Sequence, residues 1–113
     1  MVASPTNKAP CWGGQSSYGV DGGEFDTKVR GMVQQVRSLG GDVAISFGGA
    51  NGQELADAIT DPVALKAAYL KVVEAYGLSR IDFDIEGAAV NNRAAIDRRS
   101  AVVAQLQADR AAA

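Results

Sequence analysis

Histidine is absent from all 113 residues, and cysteine occurs once, at position 11. The first absence excludes Ser-His-Asp and Cys-His nucleophilic catalysis and the usual histidine-containing zinc sites within this chain, leaving carboxylates as the main candidates for acid and base work. The second excludes an intrachain disulfide, gives no indication of redox compartment and assigns Cys11 a structural place. No apolar run is long enough to span a membrane, and the opening residues MVASPTNKAP lack the apolar stretch of a signal peptide. Net charge is also small: 11 Lys and Arg against 13 Asp and Glu give −2, with a pI near 4.9 and no clustered basic run. Neither nucleic acid nor an anionic membrane is recommended as a partner. What is present is a 47% hydrophobic chain, enough for a core, of one domain's length or a piece of a larger one.

Residues 1–23 are rich in Gly, Ser, Pro and Asn and read as loop after a few residues of strand at Met1–Ser4. Phe25, Val29, Met32, Val33 and Val36 then fall on one face of a helix that ends at Gly40 and Gly41. Val43–Phe47 is a short apolar run between glycines, as a strand buried on both faces would be. A short helical turn is expected at Glu54–Ile59. Asp61 and Pro62 form a strong helix start, Leu65, Tyr69, Val72, Val73 and Tyr76 line its inner face, and Gly77 stops it. A second strand follows at Ile81–Ile85. A last helix, capped by Asn91 or Asn92, runs to about Asp109 and would bury Ile96, Val103 and Leu106. Helix, strand, helix, strand and helix over residues 24–110 form the pattern of an α/β fold with a parallel sheet, in one domain spanning 1–113.

Arg80–Gly87, RIDFDIEG, places an acid at every second position. In an extended segment Asp82, Asp84 and Glu86 share a face at roughly 7 Å spacing. Two unit charges at that spacing repel by on the order of 2 kcal/mol at an effective dielectric near 20. Three readings fit: a half-exposed edge strand with a solvated acidic face, a divalent cation site on three carboxylates, or a catalytic strand. An open doubly wound sheet would strand the acids beneath helices. A closed β/α barrel turns one face of each strand inward, with polar groups near the strand ends reaching a catalytic mouth. Ser46-Phe47-Gly48-Gly49 ends the preceding strand, where glycines admit a ligand or a neighbouring backbone.

SFGG at Ser46–Gly49 followed one helix later by DFDIEG at Asp82–Gly87 resembles the paired motifs of glycoside hydrolase family 18, SxGG and DxxDxDxE. The likeness extends through PCWGG, FDTKVRGMVQQVRSLGGDVAISFGGANG and YGLSRIDFDIEG, nearly the whole chain. The resemblance implies a (β/α)8 TIM barrel, here partial, and hydrolysis of chitin or N-acetylglucosamine oligosaccharides assisted by the substrate's own acetamido group. By motif position Glu86 would be the proton donor, Asp84 would orient the acetamido group, and Asp82 would pair with Asp84. Ser46, Gly48 and Gly49 would lie on the substrate side, and Trp12 could offer a sugar-stacking face. The first motif position holds Ser79 in place of Asp, which removes a supporting carboxylate. No cofactor or metal is implied. The family is secreted, although this chain carries no export signal of its own. A barrel needs about 250 residues, and the family's site residues on the sixth and eighth strands have no counterpart. The expectation is a fragment with little or no activity alone.

Overall fold

The structure, a computed structural model, describes residues 1–112. Four strands and four α-helices follow one another: β1 (Val2–Ala3), β2 (Pro10–Cys11), α1 (Glu24–Ser38), β3 (Ile45–Gly48), α2 (Leu55–Ala58), α3 (Pro62–Tyr76), β4 (Ile81–Asp84) and α4 (Arg93–Ala112). Strands β3 and β4 run parallel, with Ser46 opposite Asp82 and Gly48 opposite Asp84. Helices occupy the chain between them, the arrangement expected of an α/β fold.

The lead-in to α1 is more structured than its composition suggests. β1 and β2 form a short antiparallel pair, and a 3-10 turn follows at Ser16–Tyr18. The expected strand at Met1–Ser4 is present as Val2–Ala3. Just before it, the Met1 ammonium donates to the Ser46 carbonyl at 2.7 Å, and the Gly48 amide donates to the Met1 carbonyl at 2.8 Å. This residue thus lies along the edge of β3 that β4 does not occupy. Ala3 bridges to Gln53, which ties the lead-in to the segment after β3.

Helix α3 is built as its sequence dictates. Asp61 caps it by accepting from the Val63 amide at 3.1 Å, Pro62 opens it, and Gly77 ends it in a left-handed conformation at φ 59°. All five residues assigned to its inner face are buried. Tyr69 meets Phe47 of β3 and Phe83 of β4 edge-on, with ring centroids 5.0 and 5.7 Å away. These rings, with Leu65, Val72, Leu78 and Val102, make the centre of the core.

Three expectations fail in detail. Strand β3 is buried on one face only: Ile45 and Phe47 are covered while Ser46 is exposed, because α3 packs on one side and nothing among the described residues covers the other. On α1, Val29 and Val33 are buried but Met32 is 58% exposed and Val36 is also open, since helix neighbours reach only one edge of its apolar stripe. On α4 Leu106 is buried as expected, but Ala95 and Val102 take the buried places assigned to Ile96 and Val103, which are half-buried. Asn92 is the cap, its Oδ1 accepting from the Ala95 amide at 3.1 Å, so the helix starts where either asparagine would have allowed.

Candidate active site

The acids of RIDFDIEG alternate with apolar residues as the extended geometry requires. Ile81, Phe83 and Ile85 are half-buried and Asp82, Asp84 and Glu86 are exposed. The apolar set is held by the core, Phe83 lying 5.7 Å from both Phe47 and Tyr69. That packing determines which face the carboxylates occupy, because a slip of one residue would bury all three acids.

The two motifs meet along the β3–β4 ladder. Ser46 Oγ donates to Asp82 Oδ2 at 2.8 Å. The Gly49 amide donates to the Asp84 carbonyl at 2.8 Å. Gly48 has a φ of 111°, and a Cβ there would stand 2.0 Å from the Asp84 carbonyl oxygen. Glycine at 48 is therefore required for the strands to approach, which answers whether this residue admits a ligand or a backbone: the backbone of β4 is already in contact. Gly49 also has positive φ, 101°, but a Cβ on it would touch nothing within 4 Å. Its open side is the position at which a ligand could come close.

Among the carboxylates, Asp84 is the neighbour that acts on Glu86. The shared hydrogen bond and the charge of Asp84 push the Glu86 carboxyl above the ordinary glutamate range. The expected partnership of Asp82 with Asp84 differs: Asp82 is engaged by Ser46, across the ladder rather than along the strand. The parallel register sets Ser46 directly opposite Asp82, within hydrogen-bond reach across the ladder. No group of three His, Cys, Asp or Glu side chains among the described residues converges as a metal ion would need.

The remaining assigned residues lie less close to the acids. Trp12 is half-buried, its indole nitrogen donating to the Tyr76 hydroxyl at 3.4 Å and its ring 6.3 Å from that of Tyr76. Neither a hydrogen bond nor an aromatic pairing joins it to β4. Ser79, the departure from the motif, is exposed before β4 begins. The described residues leave the acids on an open face, because α3 covers the apolar side of β3 and β4.

Two buried polar clusters were not anticipated. Asp26, in the first turn of α1, is 1% exposed and accepts from Tyr76 Oη at 2.6 Å, the Gly22 amide at 2.9 Å and Arg30 Nε at 2.9 Å. Burial alone would raise its carboxyl, but these donors outweigh it and hold the group below the usual aspartate value. Burial first, and then the bond to Asp26, pushes the Tyr76 phenol up to about 12. The Asp26/Arg30 spacing of i, i+4 was a readable signal for half of this cluster. Glu54 caps α2 with both carboxylate oxygens and pairs with Arg99 of α4 at 2.8 Å. Nothing local to Glu54 announces a partner 45 residues away.

Known proteins supply an independent comparison. No protein-family profile matches the chain. It is 36% identical over 98 residues to a probable bifunctional chitinase/lysozyme of Escherichia coli (strain K12), covering 87% of this chain and 10% of that protein. To endochitinase 11 of Metarhizium anisopliae it is 39% identical over 75 residues, covering 66% of this chain and 14% of that protein. Among solved structures, active domain 2 of chitinase from Pyrococcus furiosus superposes with a TM-score of 0.64 at 32% identity, over 76% of this chain and 26% of that one. The chain thus spans a small part of the length of each protein that it matches.

Proposed function

We propose that this chain, which is chitinase-like in sequence and in fold, carries the catalytic strand of a family 18 glycoside hydrolase and belongs to a (β/α)8 barrel acting on β-1,4-linked N-acetylglucosamine. The observation that carries the reading is Asp82 and Asp84 on the open face of β4, with Glu86 exposed just beyond its end, set in register with the SFGG end of β3.

A glycosidase acid must hold a proton near its working pH. Glu86 is suited to that task because its carboxyl is raised by the neighbouring Asp84. In the proposed reaction Glu86 gives its proton to the glycosidic oxygen while the C1–O bond breaks. The acetamido carbonyl oxygen of the same sugar attacks C1, and an oxazolinium ion forms. Asp84, left as the acceptor of the shared hydrogen bond, turns to the acetamido N–H and stabilises the positive ring. Asp82, held by Ser46 Oγ, would share a proton with Asp84 and so relieve the repulsion between the two carboxylates. Glu86 then takes a proton from water, which opens the ring at C1 with overall retention. Gly49 leaves room beside this face for a pyranose, and Trp12 would contribute a stacking surface only if its loop swings away from Tyr76.

The exposure of all three acids favours a second reading for the 113 residues by themselves, a sugar-binding or inert segment without turnover. A chimera separates the two. This chain replaces the matching segment of the Pyrococcus furiosus chitinase domain, and turnover of a chromogenic N-acetylglucosamine oligomer is measured with and without Glu86→Gln. Activity in the chimera with a loss of about 10²-fold or more in the variant supports the enzyme reading. Equal rates would remove Glu86 from the mechanism.

A further inference from the structure

We propose that Asn92 and Arg99 are positioning residues: together with Arg98 they clamp α4 onto α2, and this clamp holds the loop bearing Glu86 against the loop bearing Gly48 and Gly49. The consequence for catalysis rests on the chitinase-type reading above; the clamp itself can be measured without sugar.

The chain leaves β4 at Asp84 and reaches α4 through an exposed 3-10 turn, Gly87–Asn91, with sequence GAAVN. Four of its five residues have no polar side chain, so the turn cannot anchor itself and must be held from its ends. One end is the Asp84 carbonyl, bound by the Gly49 amide. The other is Asn92, whose two side-chain atoms do separate jobs. Its Oδ1 caps α4, and its Nδ2 donates to Asp57 Oδ1 on α2.

Further along α4 the same interface continues. Arg98 Nη1 donates to the Ala56 carbonyl, and Arg99 Nη1 pairs with Glu54 Oε1 at 2.8 Å with both side chains nearly buried. Glu54 is simultaneously the cap of α2, accepting from the Ala56 amide at 3.0 Å and the Asp57 amide at 2.8 Å. A helix of four residues cannot orient itself. Its direction, and that of the loop running back to Gly49, comes from the burial of Leu55, Ala56 and Ala58 in the core, from these three contacts, and from the Gln53 carbonyl, which accepts from Ala3 at 2.8 Å. Buried charge of this kind is weak evidence for stability and better suited to fixing geometry. Hence the two βα loops that carry the two motifs are joined twice, by the Gly49–Asp84 bond at the strand ends and by the clamp behind them.

The test uses the whole 113-residue chain. Asn92→Ser retains a capping hydroxyl but cannot reach Asp57; Arg99→Met removes the charge and Arg99→Lys restores it. Two signals are read by NMR: the titration midpoint of the Glu86 carboxyl carbon and the hydrogen exchange of the Gly49 amide. In folded Asn92→Ser the Glu86 midpoint falls back towards that of an ordinary glutamate, and Gly49 exchanges about tenfold faster, the change expected from losing one hydrogen bond. Arg99→Met gives the same changes, and Arg99→Lys recovers part of both. If Arg99→Met does not fold, Asn92→Ser decides. Folded Asn92→Ser with both signals at their original values overturns the clamp. Failure of the oligosaccharide assay leaves these results untouched, so the two proposals can fail separately.

Discussion

Replacing Gly48 with alanine probes the junction on which the candidate site is built. Alanine at a φ of 111° carries strain of about 1–3 kcal/mol. Its Cβ would also stand 2.0 Å from the Asp84 carbonyl oxygen, a backbone atom that cannot turn aside. Relief requires β3 and β4 to part, which breaks the bond from the Gly49 amide to Asp84 and the neighbouring ladder bond between the two strands. At about 1 kcal/mol each these add about 2 kcal/mol. The total, about 3–5 kcal/mol, is a large share of the roughly 5–15 kcal/mol typical of a domain. Gly49→Ala is the control, since it has a similar positive φ and an unobstructed Cβ. Strain then cancels in the comparison, leaving about 2 kcal/mol between the variants, or about 8 °C in melting temperature at this chain length. Thermal and urea unfolding of both variants measure the gap. Equal destabilisation would refute the close approach of the two strands.

Three further outcomes are expected. Tyr69 has a buried hydroxyl with no hydrogen-bond partner among the described residues, so Tyr69→Phe should leave stability unchanged or raise it by about 1 kcal/mol in urea unfolding; a clear loss would reveal a partner. The Tyr76 phenol stands at about 12 folded against 10.0 in its ordinary state, so its contribution is complete below pH 10 and lost as pH rises towards 12. Asp26 has the opposite sense, its contribution being present above the ordinary aspartate value and lost as pH falls through its lower folded value. Tyr76→Phe, which removes a donor to a buried carboxylate, should cost about 1.5–3 kcal/mol at neutral pH and flatten the alkaline limb of the stability profile. Finally, Asp84→Ala should lower the Glu86 midpoint towards the ordinary glutamate range, because it deletes both the hydrogen bond and the charge that raise it; an unchanged carboxyl titration would break the pairing.

How much could be read in advance depended on where the information resides. Helix α3 was legible almost to the residue, because Asp61, Pro62, Gly77 and the apolar repeat between them are local signals acting within a few residues. The face carrying Asp82, Asp84 and Glu86 was legible too, since strand alternation has a period of two whatever surrounds it. Ile96 and Val103 of α4 were each misread by one residue, because 3.6-residue periodicity leaves neighbouring candidates for the buried side and only the docking against α2 and α3 selects among them.

The amino-acid order alone therefore determined the alternation of elements, the caps and stops of the principal helix, and the sharing of one strand face by three acids, all consequences of covalent geometry and near-neighbour chemistry. Tertiary structure decided the partners: Ser46 for Asp82, Glu86 for Asp84, Arg99 for Glu54, and the Asp84 backbone against Gly48. Hydrogen bonds and charges at such separations depend on distances of a few ångströms that only the packed chain establishes.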